Sequence, residues 1–469
     1  MKATLAGGAG SRAACLPRFF SEVDRCHCEP ELKHDCRIPL VSWGRQLYGV
    51  AQEVMYMQSR IKAEKFVVPT LWQSAFVPQF LAILIGLFAC VAHAADDVTY
   101  ANWTSGVTKH DVVSIPNRHV IHSYYSLDVE SPDGRYILFY TSGTKEGEDG
   151  DLRILERSTG KQTIIAENIH CEDAHRVACQ QWANGGKTVV YHDCRQGKWV
   201  VVAVDIATLR QKILAEDRQL GFGASASPYV PIYGCHWNPG THRDLELVNF
   251  ETGEIKTALT IASVIEKYGD WTRKRFKTDD LSICFPWMSP DGTRVFCKVG
   301  HPGGGNSYRG MNVTDRDGKV IYDLEKQQFL GLSMVWGHPS WTPDNNSILE
   351  KGNFITNVIT GKSTLFGRAP TDHPTMSSNG KVFATDGQQS EKEKEWVVLV
   401  GSTNPAKNNQ APAEYTIIDK FDNSKGATSW RHNHPHPVFS ADGKRLYYNV
   451  NDGQWTRLVV AEVGNAGAP

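Results

Sequence analysis

The residues best equipped for chemistry in this chain are histidines near its C-terminal end. The stretch "SWRHNHPHPVFSADGKRLYY", Ser429 to Tyr448, packs His432, His434 and His436 ahead of a turn and an alternating apolar run. Strand side chains alternate with period two, so His434 and His436 face one side of an extended segment. His338 in "VWGHPSWTPD" and His373 in "DHPTMSSNGKVFATDGQ" each lie four residues before a comparable turn, the place that His436 holds before Ser440. Imidazoles gathered in one small mouth repel one another when protonated, and a divalent metal relieves this by using their lone pairs. Nitrogen-rich coordination suits Mn, Fe, Ni or Zn, completed by carboxylate or water. Asp386 offers a carboxylate to orient a nearby histidine, or a simple turn residue. The blander reading is that His-Pro is a favoured strand entrance, since Pro302, Pro339, Pro374, Pro435 and Pro437 all follow histidines.

The elements that must position these residues repeat along the chain. Turn sequences recur as "SPDG" at Ser131, "ANGG" at Ala183, "SPDG" at Ser289, "TPDN" at Thr342, "SSNG" at Ser377 and "SADG" at Ser440, each followed by an alternating apolar run such as "RYILFYT" or "KRLYYNV". Their chemistry is that of tight hairpins. Successive turns are 52, 106, 53, 35 and 63 residues apart, and the gap of 106 holds a degenerate unit around "PYVPIYGCHWNPGTHRDLELVNFETGEIK", which makes seven units. Four-stranded units at this spacing predict an all-β fold, a seven-bladed β-propeller of four-stranded antiparallel blades, rather than a pair of β-sandwiches. Ring closure is expected from "YANWTSGVTKHDVVSI" or the C-terminal "LVVAEV", and "TIASVIEKYGDW" is the one good helical pattern. In a propeller the first strand of each blade lines the central channel. The matched position four residues before each turn (Leu127, Cys179, Phe285, His338, His373 and His436) therefore converges on one mouth.

The chain has 469 residues, 41% hydrophobic and 22% charged, with formal net charge −1. This balance gives no reason to expect nucleic acid as a partner. "FLAILIGLFACVAHAADD", Phe80 to Asp97, has a short apolar core followed by Ala92-His93-Ala94, with Arg60, Lys62 and Lys65 upstream. This is the pattern of a secretory signal cleaved after Ala94, with an uncleaved anchor as the alternative. The expected organisation is an N-terminal extension at 1–54, which suggests a misplaced start, a signal region at 55–94 and the propeller at 95–469. The protein is then exported, periplasmic or extracellular, and meets the membrane only through the signal segment. Cys26, His27, Cys28, His34 and Cys36 could be written as a zinc knuckle but lack a second ligand pair at regular spacing. Six cysteines follow Ala94, too few for a disulfide scaffold, so buried thiols are expected.

Other motifs are less specific. "GHPGGGNSYRG", Gly300 to Gly310, lacks the Lys-Ser/Thr of a phosphate loop, and reads as a top-face loop carrying Asn306, Tyr308 and Arg309. "GCHWNPGTHRD" offers His236 and His242. There is no G-x-S-x-G elbow, which disfavours covalent hydrolysis.

Taken in order, "VWGHPSWTPD", "DHPTMSSNGKVFATDGQ" and "RHNHPHPVFSADGKRLYY" resemble the oligogalacturonate lyase family of propellers. The resemblance spans about Tyr125 to Val463 and is specific in the C-terminal half. It implies a divalent metal, typically manganese, held by a histidine of a "GH" blade, matched by His338, and by a Gln-x-x-His-x-His set, matched by His434 and His436. Arg431 stands where the glutamine is expected and has no lone pair to give, so His432 or His373 would replace it. The implied reaction is β-elimination on a uronate, with a neutral histidine as base. Phe285 falls near the family's base position, which leaves His301 or His236 as substitutes and Arg309 to neutralise the substrate carboxylate. Two readings of function follow. One is a metal-dependent lyase acting on an acidic oligosaccharide. The other is a non-catalytic exported propeller of the Tol type that binds a glycan, peptide or envelope protein.

Overall fold

The computed structural model describes residues 98–235, 238–301, 319–333, 338–390, 394–408 and 411–464. The signal-like segment and the cysteine-histidine cluster before it lie outside the described residues. The described residues form seven four-stranded antiparallel sheets, the blades of a propeller. Blades 1 to 6 span 119–170, 181–216, 218–259, 282–333, 340–365 and 375–422. Blade 7 takes three strands from 438–463, and its outermost strand is Val107–Asp111, paired antiparallel to Arg457–Val463. An N-terminal strand thus closes the ring by completing its last blade.

The repeated turn has a local cause. In the S-P-D-G and S-A-D-G turns the first hydroxyl donates to the acidic side chain two residues on, from Ser131 to Asp133 (2.5 Å), Ser289 to Asp291 (2.6 Å) and Ser440 to Asp442 (2.6 Å). The same oxygen accepts the amide five residues on, from Tyr136 (2.9 Å), Arg294 (3.0 Å) and Arg445 (3.0 Å). The closing glycine sits at φ 68° in Gly134, 74° in Gly292 and 70° in Gly443, where a side chain is disfavoured. The degenerate third blade turns through Ala224 to Ser227 instead. The expected helix, Ile261–Phe276, follows its outer strand and is capped by Thr260, whose hydroxyl accepts from Ser263 N–H (3.1 Å).

Apolar clusters fill the interfaces between blades, and one runs along the axis through Tyr124, Tyr125, Phe222, Trp287, Phe296 and Trp341. The junction of blades 7 and 1 also carries a buried polar tie. Glu130, 4% exposed, accepts from Arg445 Nε (2.6 Å) and from the Tyr447 hydroxyl. The Arg445→Ala substitution should leave that carboxylate without its main partner and destabilise the fold by about 3–5 kcal/mol, measurable by urea denaturation.

Histidines away from the mouth are structural. His119 and His192 are fully buried and accept backbone amides at Nδ1, from Thr456 (2.9 Å) and Leu220 (3.1 Å). Burial holds His119 at about 4 and His192 at about 3, so both are neutral in the folded chain. Their unfolded counterparts titrate near 6.5. Between those values the unfolded chain binds more protons, so stability falls as pH drops from about 6.5 toward 4, by up to about 1.4 kcal/mol per pH unit for each histidine. Denaturant melts across that range check the slope, and the His192→Gln variant should flatten it.

Candidate metal centre

Four imidazoles from three blade entrances meet at one mouth of the channel. The potential ligand atoms of His175, His373, His434 and His436 all lie within 4.8 Å of one another. Ring centroids are 4.4 Å apart for His373 and His436, and 4.6 Å for His175 with each of His434 and His436.

Asp386, on the second strand of blade 6 (Val382–Ser390), organises the group. Its fully buried carboxylate accepts the backbone N–H of His373 (3.0 Å), the His373 Nδ1–H (2.9 Å) and the backbone N–H of His436 (3.0 Å). An ionised carboxylate accepts only, so His373 carries its proton on Nδ1 and leaves the Nε2 lone pair open. His436 stands at φ 49°, a left-handed conformation also taken by Cys179 (51°) and Phe285 (47°) at the matching position of their blades. Such backbone costs about 1–2 kcal/mol for a non-glycine residue. In blade 4 the strand pairing slips beside it, between Cys284 and Trp287. The His436 carbonyl accepts from His122 Nε2 (2.6 Å), which ties blade 1 to the same segment.

His175 arrives on a long connection ahead of blade 2 that interlocks with the segment ahead of blade 7. Ala174 N–H donates to Ser429 Oγ (2.9 Å), Asn433 Nδ2 to the Ala174 carbonyl (2.8 Å), and Trp430 Nε1 to the Glu172 carbonyl (3.0 Å). His175 Nδ1–H donates to the His432 carbonyl (3.1 Å), so its Nε2 is the open nitrogen. Arg431 faces Asp173 at 3.6 Å, and His432 is taken by the Thr428 hydroxyl (2.6 Å) and the Asn423 carbonyl. Arg431 thus serves the interlock and the His432 ring is tied within its own segment, and His175 and His373 are the residues that stand with His434 and His436.

The donor set fits a cation. His175 Nε2, His373 Nε2, His434 Nδ1 and both ring nitrogens of His436 are buried with no hydrogen-bond partner, an arrangement that is costly unless something accepts their lone pairs. Burial, reinforced by the neighbouring imidazoles and at His175 by Arg431, pushes His175, His434 and His436 well below the ordinary imidazole range, so each presents a neutral ring. Neutral imidazole is the form that binds metal.

His338 sits beside this set. Its ring stacks on His373 at 4.3 Å, and its Nδ1 donates to Asp372 Oδ1 (3.2 Å), which also receives Lys351 Nζ (2.9 Å). His338, Asp372 and His373 form a second group of potential ligands that shares His373 with the first. Burial holds His338 at about 3, while its neighbours draw the Asp372 carboxyl below the usual carboxylate range. His301 follows the second strand of blade 4 (Arg294–Gly300) and belongs to neither group. His236, Arg309 and most of the Gly-rich loop lie outside the described residues.

No protein-family profile matches this chain, and no curated protein matches it in sequence. Solved structures do match in fold. An oligogalacturonate lyase in complex with manganese aligns with TM-score 0.53 and 15% identity over 77% of this chain and 98% of that one. An oligogalacturonate lyase from Vibrio parahaemolyticus aligns with TM-score 0.52 and 14% identity over the same shares. At these identities the likeness is one of fold.

The Asp386→Asn variant should weaken divalent-metal binding by about 10–100-fold by loosening His373 and the His436 backbone together. Calorimetric titration with Mn²⁺ and Zn²⁺ measures this, and unchanged affinity would remove Asp386 from the site.

Proposed function

We propose that this propeller is a metal-dependent lyase that acts on an acidic oligosaccharide of the oligogalacturonide class after export. The observation that carries the reading is the set of four inward-facing imidazoles with open nitrogens, on a fold shared with an oligogalacturonate lyase in complex with manganese. His175, His373, His434 and His436 would hold the ion, with manganese the first metal to test. A bound divalent cation supplies positive charge for a uronate carboxylate and lowers the barrier to losing the neighbouring carbon-bound proton.

The remaining work falls to this chain's own groups. His338, its Nδ1–H directed at Asp372, offers Nε2 as the proton acceptor, and Lys351 holds Asp372 in place. In this reading His338 moves from the ligand set suggested by its "GH" motif to the role of base, ahead of His301 and His236. Arg309 remains the loop residue proposed to meet the substrate carboxylate. Trp430, 47% exposed with its Nε1 tied to the Glu172 carbonyl, offers a ring edge and face at the rim.

The full chain incubated with oligogalacturonate and Mn²⁺ should release product with the ultraviolet absorbance of an unsaturated uronate, and chelation should stop it. The His338→Ala variant should lose about 10²–10⁴-fold in kcat while keeping its metal content. Metal binding without turnover on any uronate tested would overturn the lyase reading in favour of a non-catalytic binding propeller.

A further inference from the structure

The opposite mouth of the channel holds a separate cavity of about 430 Å³, within the range of small-molecule sites. An aromatic column divides it from the histidines. Tyr124 packs on His436 at 4.6 Å, Phe222 stacks on Tyr124 at 5.0 Å, and Trp287 stacks on Phe222 at 4.0 Å. All three are buried, and Trp287 reaches the wall of the lower cavity.

The lining of that cavity mixes apolar walls with neutral polar side chains such as Gln181, Ser225 and Thr375. Its apolar walls come from Trp182, Trp287, Met288, Trp341 and Phe439. Asp128 is its one acidic side chain among the described residues, and no lysine, arginine or histidine lines it. Asp128 is exposed and lines the cavity, with Ser225 beside it. The acidic neighbour Glu130 is already held by Arg445, Arg157 and Tyr447. Asp128 therefore lacks the counter-charge that Glu130 has. Partial desolvation in the cavity and the charge of Glu130 raise its carboxyl above the ordinary range, as expected for an anion with no cation beside it.

We propose that this cavity is a second ligand site, for a small organic ammonium ion whose charge pairs with Asp128 and whose hydrocarbon part meets the tryptophan and methionine walls. An anion would face Asp128 with no compensating cation, and a neutral hydrocarbon would gain nothing from its charge. The proposal does not depend on the metal reading, because the aromatic column separates the two mouths.

The test uses the full chain with choline as probe and neohexanol, its neutral isostere with a tert-butyl group, as control, followed by titration calorimetry. Choline should bind saturably with one site, and neohexanol should bind at least about tenfold more weakly. The Asp128→Asn variant should lose choline affinity by a similar factor. Affinity should also fall as pH drops into the range where Asp128 takes up its proton. Absence of saturable choline binding, or equal binding of the two probes, overturns the proposal. Competition between choline and Mn²⁺ would place choline at the histidine mouth and overturn it as well. If Asp128→Asn fails to fold, the comparison of the two probes on the unaltered chain still decides.

Discussion

The buried carboxylate of Asp386 is the interaction on which the histidine mouth depends. It receives one ring N–H and two backbone N–H groups, from residues that belong to two different blades. A carboxylate without solvent is tolerated only when its lone pairs are filled, and here the groups that fill them are the site itself. The same contacts choose the tautomer of His373 and hold His436 in a left-handed backbone conformation that an isolated strand entrance would avoid.

The surroundings favour the neutral form of His175, His434 and His436. Tyr124 and Tyr125 pack beneath the imidazoles, with centroids 4.6 Å from His436 and 5.1 Å from His373, and Trp396 stands 4.6 Å from His434. Apolar walls oppose protonation, and close imidazoles oppose it further. Both effects favour the lone-pair form, so the packing that stabilises the axis also prepares the nitrogens for a cation. The aromatic column that forms this floor closes the channel, giving the two mouths separate environments, one rich in imidazole and one with a single carboxylate.

Ring closure bears on the same geometry. Blade 7 supplies His434 and His436, and its fourth strand comes from Val107–Asp111 near the other end of the described chain. The interlock of 172–176 with 428–433 then carries His175 past blade 1 to reach blade 7. The four-imidazole site is therefore complete only when the ring closes, because His373, His434 and His436 come from neighbouring blades while His175 arrives from the other end of the ring.

Much of the architecture is written locally. The S-P-D-G turns specify their hairpins through hydrogen bonds spanning five residues and a positive-φ glycine, so their spacing announces the seven blades, and the third blade, which lacks that turn, shows as a gap of double length. The matched position before each turn likewise points His338, His373 and His436 toward one mouth, and period two adds His434. The sequence does not show that His175 joins them, since it lies four residues ahead of the matched Cys179 on a connection whose course is set by contacts with a segment about 255 residues away. Nor does it show that Arg431 is drawn to Asp173 and the His432 ring to Thr428 and Asn423, or that His338 stands beside the cluster against Asp372. Turn chemistry and strand periodicity are short-range and can be read along the chain; the partner of each imidazole nitrogen is a long-range contact, decided only when the blades close around the axis.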